Sequence, residues 1–402
     1  MQQILKMSLT TLKLKKGKEI SIYRKHPWVF SGAFKDIPKT IEDGESVRVT
    51  TYEDQFLAIG HYQGGGSIAV RIVSYEDVDI DQKFWNDIIA NAVLYRTNLG
   101  LLDDQRTNTY RLQHGEGDGI PGLIIDIYND LAVIQCHSIG VHKCCHQIAE
   151  AILLHYKTKI DSIYIRSKDT LPDIYGNKVI DAFYCGDKEE TLILENGVRF
   201  KINIITGQKT GFFLDQRENR ALLNYFSKNK TVLNCFCYTG GFSIYALMAG
   251  ATKVDSVDIS QKAMDLLEEN LSLNAFKGIH QSFCANVLQF LTDETLPEYD
   301  IVIVDPPAFA KSIHKRHNAV QAYKRLNTLA LRKVKNGGFL YTFSCSQVVG
   351  TQLFYDTIVS AGIEAGKKVR VVRSLSQGPD HPINLFHPEG HYLKGLMLYV
   401  ED

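Results

Sequence analysis

The period of apolar and polar positions changes several times along the chain. Over residues 1–75, runs such as SVRVTTY, FLAIGHY and SIAVRIVSY alternate or are rich in β-branched side chains, and turns at Gly44 and at Gly64, Gly65 and Gly66 separate them. This predicts a small β-rich unit. Over 80–105 the apolar residues recur at helical spacing, with Phe84, Ile88, Ile89, Ala92, Val93 and Tyr95 on one broad face. Strand-like LIIDIY and LAVIQCHS follow, then a helix near 141–157 and strand-like SIYIRS. Residues 76–187 are therefore expected to form a middle α+β domain. The stretch 190–205 predicts a hairpin with Asn196 and Gly197 at a type I′ turn.

From residue 207 the pattern changes again. TVLNCF, VDSVDI, SFCANV, DIVIVD, GGFLYTFSC and LKGLMLYV read as strands, and SIYALMAG, AMDLLEENLSLNA and 317–334 read as helices between them. Apolar strands alternating with amphipathic helices predict a parallel α/β sheet covered on both faces, a Rossmann-like domain over 188–402 that begins with the hairpin.

Composition narrows the class. The 402 residues are 45% apolar, enough for substantial cores, and carry 45 Lys+Arg against 45 Asp+Glu. A chain basic throughout is excluded, so any nucleic-acid site must be a local patch. No apolar run reaches the length of a membrane span, and lysines interrupt each apolar piece of the N-terminal MQQILKMSLTTLKLKKGKEI, so neither a membrane segment nor export is expected. The eight cysteines form no CxxC pair, and no histidine lies at zinc-finger spacing. Reduced thiols, a cytoplasmic location and no metal are expected. The oligomeric state is not specified by the sequence; a homodimer is one option.

Ligands of doubly wound sheets bind at the C-terminal strand ends. The first strand of this sheet runs through Asn234 into Cys235, Phe236, Cys237, Tyr238, Thr239, Gly240, Gly241 and Phe242. Glycines at such a turn let a ligand approach the backbone. The pattern is neither GxGxxG nor a P-loop. The second strand ends at Asp258, 18 residues beyond Gly240, with Ile259 after it. A carboxylate there can accept hydrogen bonds from both ribose hydroxyls, or the VDIS segment can simply cap the next helix. Asn286 ends the third strand and either reads an adenine edge or serves as a turn residue. Asp305-Pro306-Pro307-Ala308-Phe309 follows the apolar run IVIV, and two prolines after an acid enforce an extended turn without amide donors. The next strand ends at Ser344-Cys345-Ser346, where the thiol is either exposed at the active edge or buried and inert.

Together these residues resemble a class I S-adenosylmethionine-dependent RNA methyltransferase and, more narrowly, the bacterial 23S rRNA large-subunit m5C methyltransferase family. The resemblance spans nearly the whole chain. It rests on RKHPWVF at 24–30, GEGDGIPGL at 115–123, GQKTGFFLDQR at 207–217, CYTGGF at 237–242, DPPAF at 305–309, SCS at 344–346 and GHYLKG at 390–395. It implies an N-terminal PUA domain, a middle α+β domain, a C-terminal Rossmann-like methyltransferase domain, S-adenosylmethionine as cofactor and ribosomal RNA as partner. Lys209, Thr210, Phe212, Asp215, Gln216 and Arg217 would border the methionine end of the cofactor. Asn234, Cys237, Tyr238, Thr239 and Gly240 would form its turn, Asp258 would take the ribose with Ile259 also at the cofactor, Asn286 would meet the adenine, and Asp305 would lie beside the methyl group. Asn234 and Asn286 depart from the aspartates more usual in that family.

The resemblance also assigns Cys345 as the nucleophile that adds to cytosine C6, with Asp305 at N3 and the amino group. A free thiol titrates near ~8.5 and a free aspartate near ~3.9, so both need activation by the site. Ala308 stands where many RNA m5C enzymes carry a second cysteine, so expulsion of the thiol must rely on Asp305 or water. Around the base, Pro306, Pro307 and Phe309 are the expected contacts. Between Pro306 and Lys335 lie Lys311, Lys315, Arg316, Lys324, Arg325, Arg332, Lys333 and Lys335 and no acid, which reads as a phosphate-binding stretch or as a solvated helix face. Arg24 and Lys25, near Trp28 and Phe30, form a second candidate RNA contact, although Trp28-Val29-Phe30 can equally be local core. The rival readings are a methyltransferase of the same fold acting on another rRNA atom such as guanine N7, and a non-catalytic RNA-binding assembly protein.

Overall fold

The computed structural model describes residues 9–310 and 312–402; Lys311 and the first eight residues of the N-terminal segment lie outside them. The chain forms two compact units. The first takes the chain up to Ile193 together with Ile202–Phe212 and Pro379–Gly390, and the second is made of Leu194–Lys201, Phe213–Gly378 and His391–Asp402.

The first unit holds two five-stranded sheets. Strands β1 (Thr10–Lys13), β2 (Trp28–Phe30), β3 (Ser46–Thr50), β4 (Phe56–Tyr62) and β5 (Ile68–Ser74) pair in the order β1-β3-β4-β5-β2. Val47, Val49, Ala58, Val70 and Ile72 point into a core closed by Leu12, Leu14 and Val29. The second sheet comprises β6 (Thr109–His114), β7 (Leu123–Tyr128), β8 (Leu131–Cys136), β9 (Ser162–Ile165) and β10 (Ala182–Cys185), in the order β10-β9-β8-β7-β6. The helices Gln82–Asn98 and Cys145–Tyr156 pack on it. The pattern of the middle segment hid β6 and β10. In β6, Thr109 and Gln113 are buried polar residues, which blurs the alternation. The buried stripe of helix Gln82–Asn98 is Trp85, Ile89, Ala92 and Arg96, so Phe84, Ile88, Val93 and Tyr95 flank the face rather than centre it.

The hairpin is as expected. Strands β11 (Glu190–Glu195) and β12 (Val198–Asn203) flank Asn196 (φ 51°) and Gly197 (φ 85°), the two left-handed positions a type I′ turn requires.

The second unit is built on a seven-stranded sheet of β13 (Thr231–Cys235), β14 (Lys253–Asp258), β15 (Ile279–Cys284), β16 (Tyr299–Val304), β17 (Val334–Ser344), β18 (Lys368–Ser376) and β19 (Lys394–Glu401). The order is β15-β14-β13-β16-β17-β19-β18. Strands β13 to β17 are parallel, as expected, and Ile301–Val304 are fully buried, but β15 is largely exposed and ends at Cys284, so Asn286 lies beyond the third strand rather than at its end. One correction is topological: β19 runs antiparallel between β17 and β18. A second is β18 itself, KVRVVRSLS, which is not among the strands expected from the pattern. It is an edge strand, exposed along most of its length, and such edges carry charged side chains rather than a hydrophobic run. The parallel order reverses at β13, between β14 and β16, so the C-terminal ends of these strands open one crevice.

Candidate active site

The β13 end carries unusual backbone. Phe236 (φ 59°), Tyr238 (φ 47°) and Gly240 (φ 85°) all adopt left-handed conformations, and non-glycine residues in that region mark a functional constraint. At Gly240 a Cβ would lie 2.0 Å from Leu267 Cδ1, so packing as well as φ demands glycine there. The Tyr238 N–H donates to Asp258 Oδ2 and the Ser260 N–H to Oδ1, each at 3.0 Å. Asp258 thus ties the β13 turn to the end of β14, and each oxygen keeps a lone pair for a further donor. Ser260, not Asp258, caps the helix Gln261–Ser272. Ile259 stands next to the carboxylate, 71% exposed. Asn286 is exposed and caps the helix Val287–Leu291 through Oδ1, which leaves its amide group.

Other members of the expected set point inward. Asn234 is buried and donates to Ser243 Oγ at 2.8 Å. Cys237 is buried with Sγ 3.7 Å from Met264 Sδ, and burial pushes its thiol far up. Thr239 is buried, and its carbonyl accepts from Asn270 Nδ2 at 3.1 Å. The segment GQKTGFFLDQR divides between the units. Lys209, Thr210 and Phe212 belong to the first, where the Thr210 hydroxyl donates to Asp126 Oδ2 at 2.6 Å and the Phe212 N–H donates to the Tyr128 hydroxyl at 3.2 Å. Asp215, Gln216 and Arg217 belong to the second.

There, Gln216 Nε2 donates to Asp305 Oδ2 at 2.9 Å, and Gln216 Oε1 accepts from Asn219 Nδ2 at 2.6 Å. Asp215 Oδ2 accepts from the Tyr392 hydroxyl at 2.7 Å, while its buried Oδ1 has no hydrogen-bond partner. Arg217 is buried, with Nε 3.3 Å from Glu218. Arg220, also buried, is held by Glu195 through two bonds of 2.7 Å. Asp305 is half-buried at the end of β16. Burial and then the negative charge of Asp215 push its carboxyl up to about 7, against the opposing pull of the Gln216 hydrogen bond and Arg220. It therefore titrates where a proton can be both held and given up at neutral pH.

Cys345 follows β17 and is half-buried, neither sealed below the sheet nor fully open. The Tyr323 hydroxyl senses both it and Asp305: burial pushes this phenol up to about 12, and both neighbours add to the shift. Phe309 packs on Tyr323 with ring centroids 4.6 Å apart, and Pro307 is exposed beside it while Pro306 is buried. Ser346 Oγ donates to the Ala310 carbonyl at 2.8 Å and fastens the β17 end to the loop after β16. Tyr323, Tyr392 and Lys394 were not singled out from the sequence. The last two lie within the GHYLKG segment, which was the available signal; Tyr323 gave none.

The basic stretch is smaller than its composition suggests. Lys324 pairs with Glu364 at 2.6 Å, and Arg332 donates to the Glu364 carbonyl. Lys333 donates to the carbonyls of Asp293 and Leu296, and Lys335 pairs with Asp300. Lys315, Arg316 and Arg325 remain exposed; Lys311 is outside the described residues. In the first unit Arg24 is exposed and the Lys25 ammonium lies 4.4 Å from the Tyr75 ring centre. Val29 is core, Trp28 donates through Nε1 to Glu116 at 2.9 Å, and Phe30 is exposed. Among the described residues one cluster could hold a metal ion, His26, His387 and Glu389, and it lies in the first unit. No helix among them is long and apolar enough to cross a membrane.

Comparison with known proteins fits this geometry. Residues 171–385 match the S-adenosylmethionine-dependent methyltransferase family, and residues 12–75 match a PUA-like domain. The chain is 37% identical over 389 residues to Ribosomal RNA large subunit methyltransferase I of Pseudoalteromonas atlantica, covering 96% of this chain and 98% of the relative. To the protein of that name from Aeromonas hydrophila it is 38% identical over 394 residues, with 96% and 98% covered. Of the solved structures, a candidate SAM-dependent methyltransferase from Streptococcus mutans superposes with a TM-score of 0.82 at 23% identity, over 97% of this chain and 100% of that one. Another candidate methyltransferase, complexed with SAH, gives 0.83 at 23% identity with the same coverage. These two similarities establish the fold.

Proposed function

The chain belongs to the S-adenosylmethionine-dependent methyltransferases, with the large-subunit ribosomal RNA enzymes, and from that premise we propose that it makes 5-methylcytidine in 23S rRNA. The observation that carries this reading is that Asp305 and Cys345 directly follow the neighbouring parallel strands β16 and β17, which pair up to Val304 and Thr342, so both residues stand at the same edge of the sheet.

The residues suit the cofactor. Asp258 would accept from the ribose hydroxyls, Ile259 would cover one face of the adenine, and the Asn286 amide would meet its edge. The orphaned Asp215 Oδ1 is a buried acceptor in need of a cation or N–H donor, which the ammonium end of the methionine would provide. When bound, S-adenosylmethionine supplies an electrophilic methyl carbon.

Carbon 5 of cytosine is a weak nucleophile. The Cys345 sulfur would bond to C6 and move the C5–C6 π pair onto C5, while Asp305 holds the N3 edge. Because Asp305 titrates near neutrality, it can give a proton to N3 as the sulfur adds and take it back as the sulfur leaves. After methylation water takes the proton from C5, the C5–H pair re-forms the C5–C6 double bond, and the C6–S bond breaks with its pair leaving on the Cys345 sulfur. Pro306, Pro307 and Phe309 would frame the base, with Lys315 and Arg316 on flanking phosphates. Arg24 and Lys25 would add a second RNA contact.

Cys345→Ala tests this directly: it is expected to bind the cofactor normally and to leave rRNA without 5-methylcytidine in nucleoside mass spectrometry. Full methylation by that variant would eliminate the covalent route and turn attention to an atom such as guanine N7, which needs no thiol. Absence of cofactor binding by the wild type at millimolar concentration would instead favour a non-catalytic RNA-binding role.

A further inference from the structure

The pairing of β17 with β19 sets Ser344 opposite Lys394, so this lysine sits beside the residue that precedes Cys345. Lys394 is 3% exposed. Its Nζ donates to the Ser346 carbonyl at 2.7 Å and to the Val349 carbonyl at 2.9 Å. The ammonium thus clasps the turn that leads out of Cys345. Two neutral carbonyls compensate a buried cation only in part, and a cation without an anion is unfavourable in such a place. Burial accordingly pushes the Lys394 ammonium down to about 8, and the group that favours its charged form is Cys345 as a thiolate. The attraction is mutual: a thiolate that stabilises the ammonium is stabilised by it.

We propose that Lys394 is the positioning residue that keeps Cys345 ionised and its turn in place for attack on the pyrimidine. This rests on the reading of Cys345 as nucleophile. The thiol proton goes to water, and the ammonium remains as the counter-charge to the sulfur. After the sulfur is expelled it returns to the same partner. The two groups titrate as a pair, so the ammonium–thiolate state competes with the amine–thiol state of equal net charge. Other titratable groups face the pair. The Tyr323 phenol feels the charges of both Cys345 and Asp305, and His391 and Tyr355 line, with Lys394, a cavity of about 290 Å³.

The test is the pH profile of Cys345 alkylation by iodoacetamide, read by peptide mass spectrometry on the full-length protein, alongside methylation of rRNA. In the wild type the midpoint is expected below the ~8.5 of a free thiol. Lys394→Gln can still donate to a carbonyl but has no charge. It is expected to raise the midpoint by about one unit, slow alkylation at pH 7 about tenfold and lower kcat with little change in the KM for the cofactor. Lys394→Arg is expected to restore most of the profile. A wild-type midpoint at or above that of a free thiol overturns the proposal without any variant, which keeps it testable if Lys394→Gln does not fold. An unmoved midpoint in Lys394→Gln also overturns it, because a purely structural clasp would lower activity without moving the titration. If the midpoint moves while Cys345→Ala methylates normally, the nucleophile reading fails and the catalytic role of Lys394 fails with it, although the charge pair stands.

Discussion

Replacing Asp305 by asparagine removes a carboxyl that titrates near neutrality and keeps an oxygen for the Gln216 hydrogen bond. The carboxyl moves from its ordinary ~3.9 to about 7 on folding. At about 1.4 kcal/mol per unit, three units set a ceiling of about 4 kcal/mol. Asp305 is only half-buried, so about 2 kcal/mol is the working figure. The sign follows from the raised value. The folded protein binds this proton more tightly than the unfolded chain, so the contribution is complete below about pH 4 and disappears as the pH climbs to about 7. Above pH 7 the wild type carries a partly covered carboxylate facing Asp215, and the asparagine variant does not. The variant is therefore expected to gain on the wild type between pH 4 and 7 and to hold that lead above. For a unit of this size it amounts to roughly 4–8 °C in unfolding temperature. Differential scanning calorimetry of both proteins from pH 4 to 9, following the transition of the catalytic unit, measures it. A Tm difference that stays flat over that range, or moves in favour of the wild type as pH rises, would refute the argument that burial and Asp215 hold the proton on.

Four further changes have defined outcomes. Gly240→Ala forces a Cβ toward Leu267 at a left-handed position, so titration calorimetry should show cofactor affinity lowered at least about tenfold by a displaced turn. Asp258→Ala should weaken the cofactor similarly, since it removes the ribose acceptor and leaves the Tyr238 and Ser260 N–H groups without their partner. Changing Lys315, Arg316 and Arg325 together to glutamine should flatten the salt dependence of RNA binding by about two log–log units at ~0.7 per phosphate, whereas Lys333→Gln should leave that slope unchanged. Glu195→Gln strands the buried Arg220 charge and is expected to lower stability in urea by about 3 kcal/mol.

The parts of the fold visible in the sequence are those whose burial is uniform. The run before Asp305 is apolar at every position because both faces of β16 are covered, and the Asn196-Gly197 pair can hardly be anything but a tight turn. Strand β18 escaped because one edge and much of its surface meet solvent, so no alternation separates it from a loop. The antiparallel insertion of β19 escaped for a different reason. Its sequence LKGLMLYV is that of a buried strand, and direction is a property of the pairing rather than of the strand.

The site divides in the same way. Residues whose place depends on the backbone alone, such as Asp258 at a strand end or Gly240 at a turn, could be located by counting along the chain. Residues whose role depends on what lies across space could not. Eight basic residues in one stretch look alike on paper, yet Lys324, Arg332, Lys333 and Lys335 are bound to Glu364, Asp293, Leu296 and Asp300 from other segments. Their charges serve local structure before any phosphate arrives. Asp305 shows the converse. Its proton affinity is set first by burial and then by Asp215, Gln216 and Arg220, some 90 residues away along the chain, so the sequence could say that it needed activation but not that it had it. The same reasoning gives Lys394 its weight: a lysine in a run of apolar strand residues reads as an exception to the pattern, and it gains a partner only when the strand pairing sets it against the turn that carries Cys345.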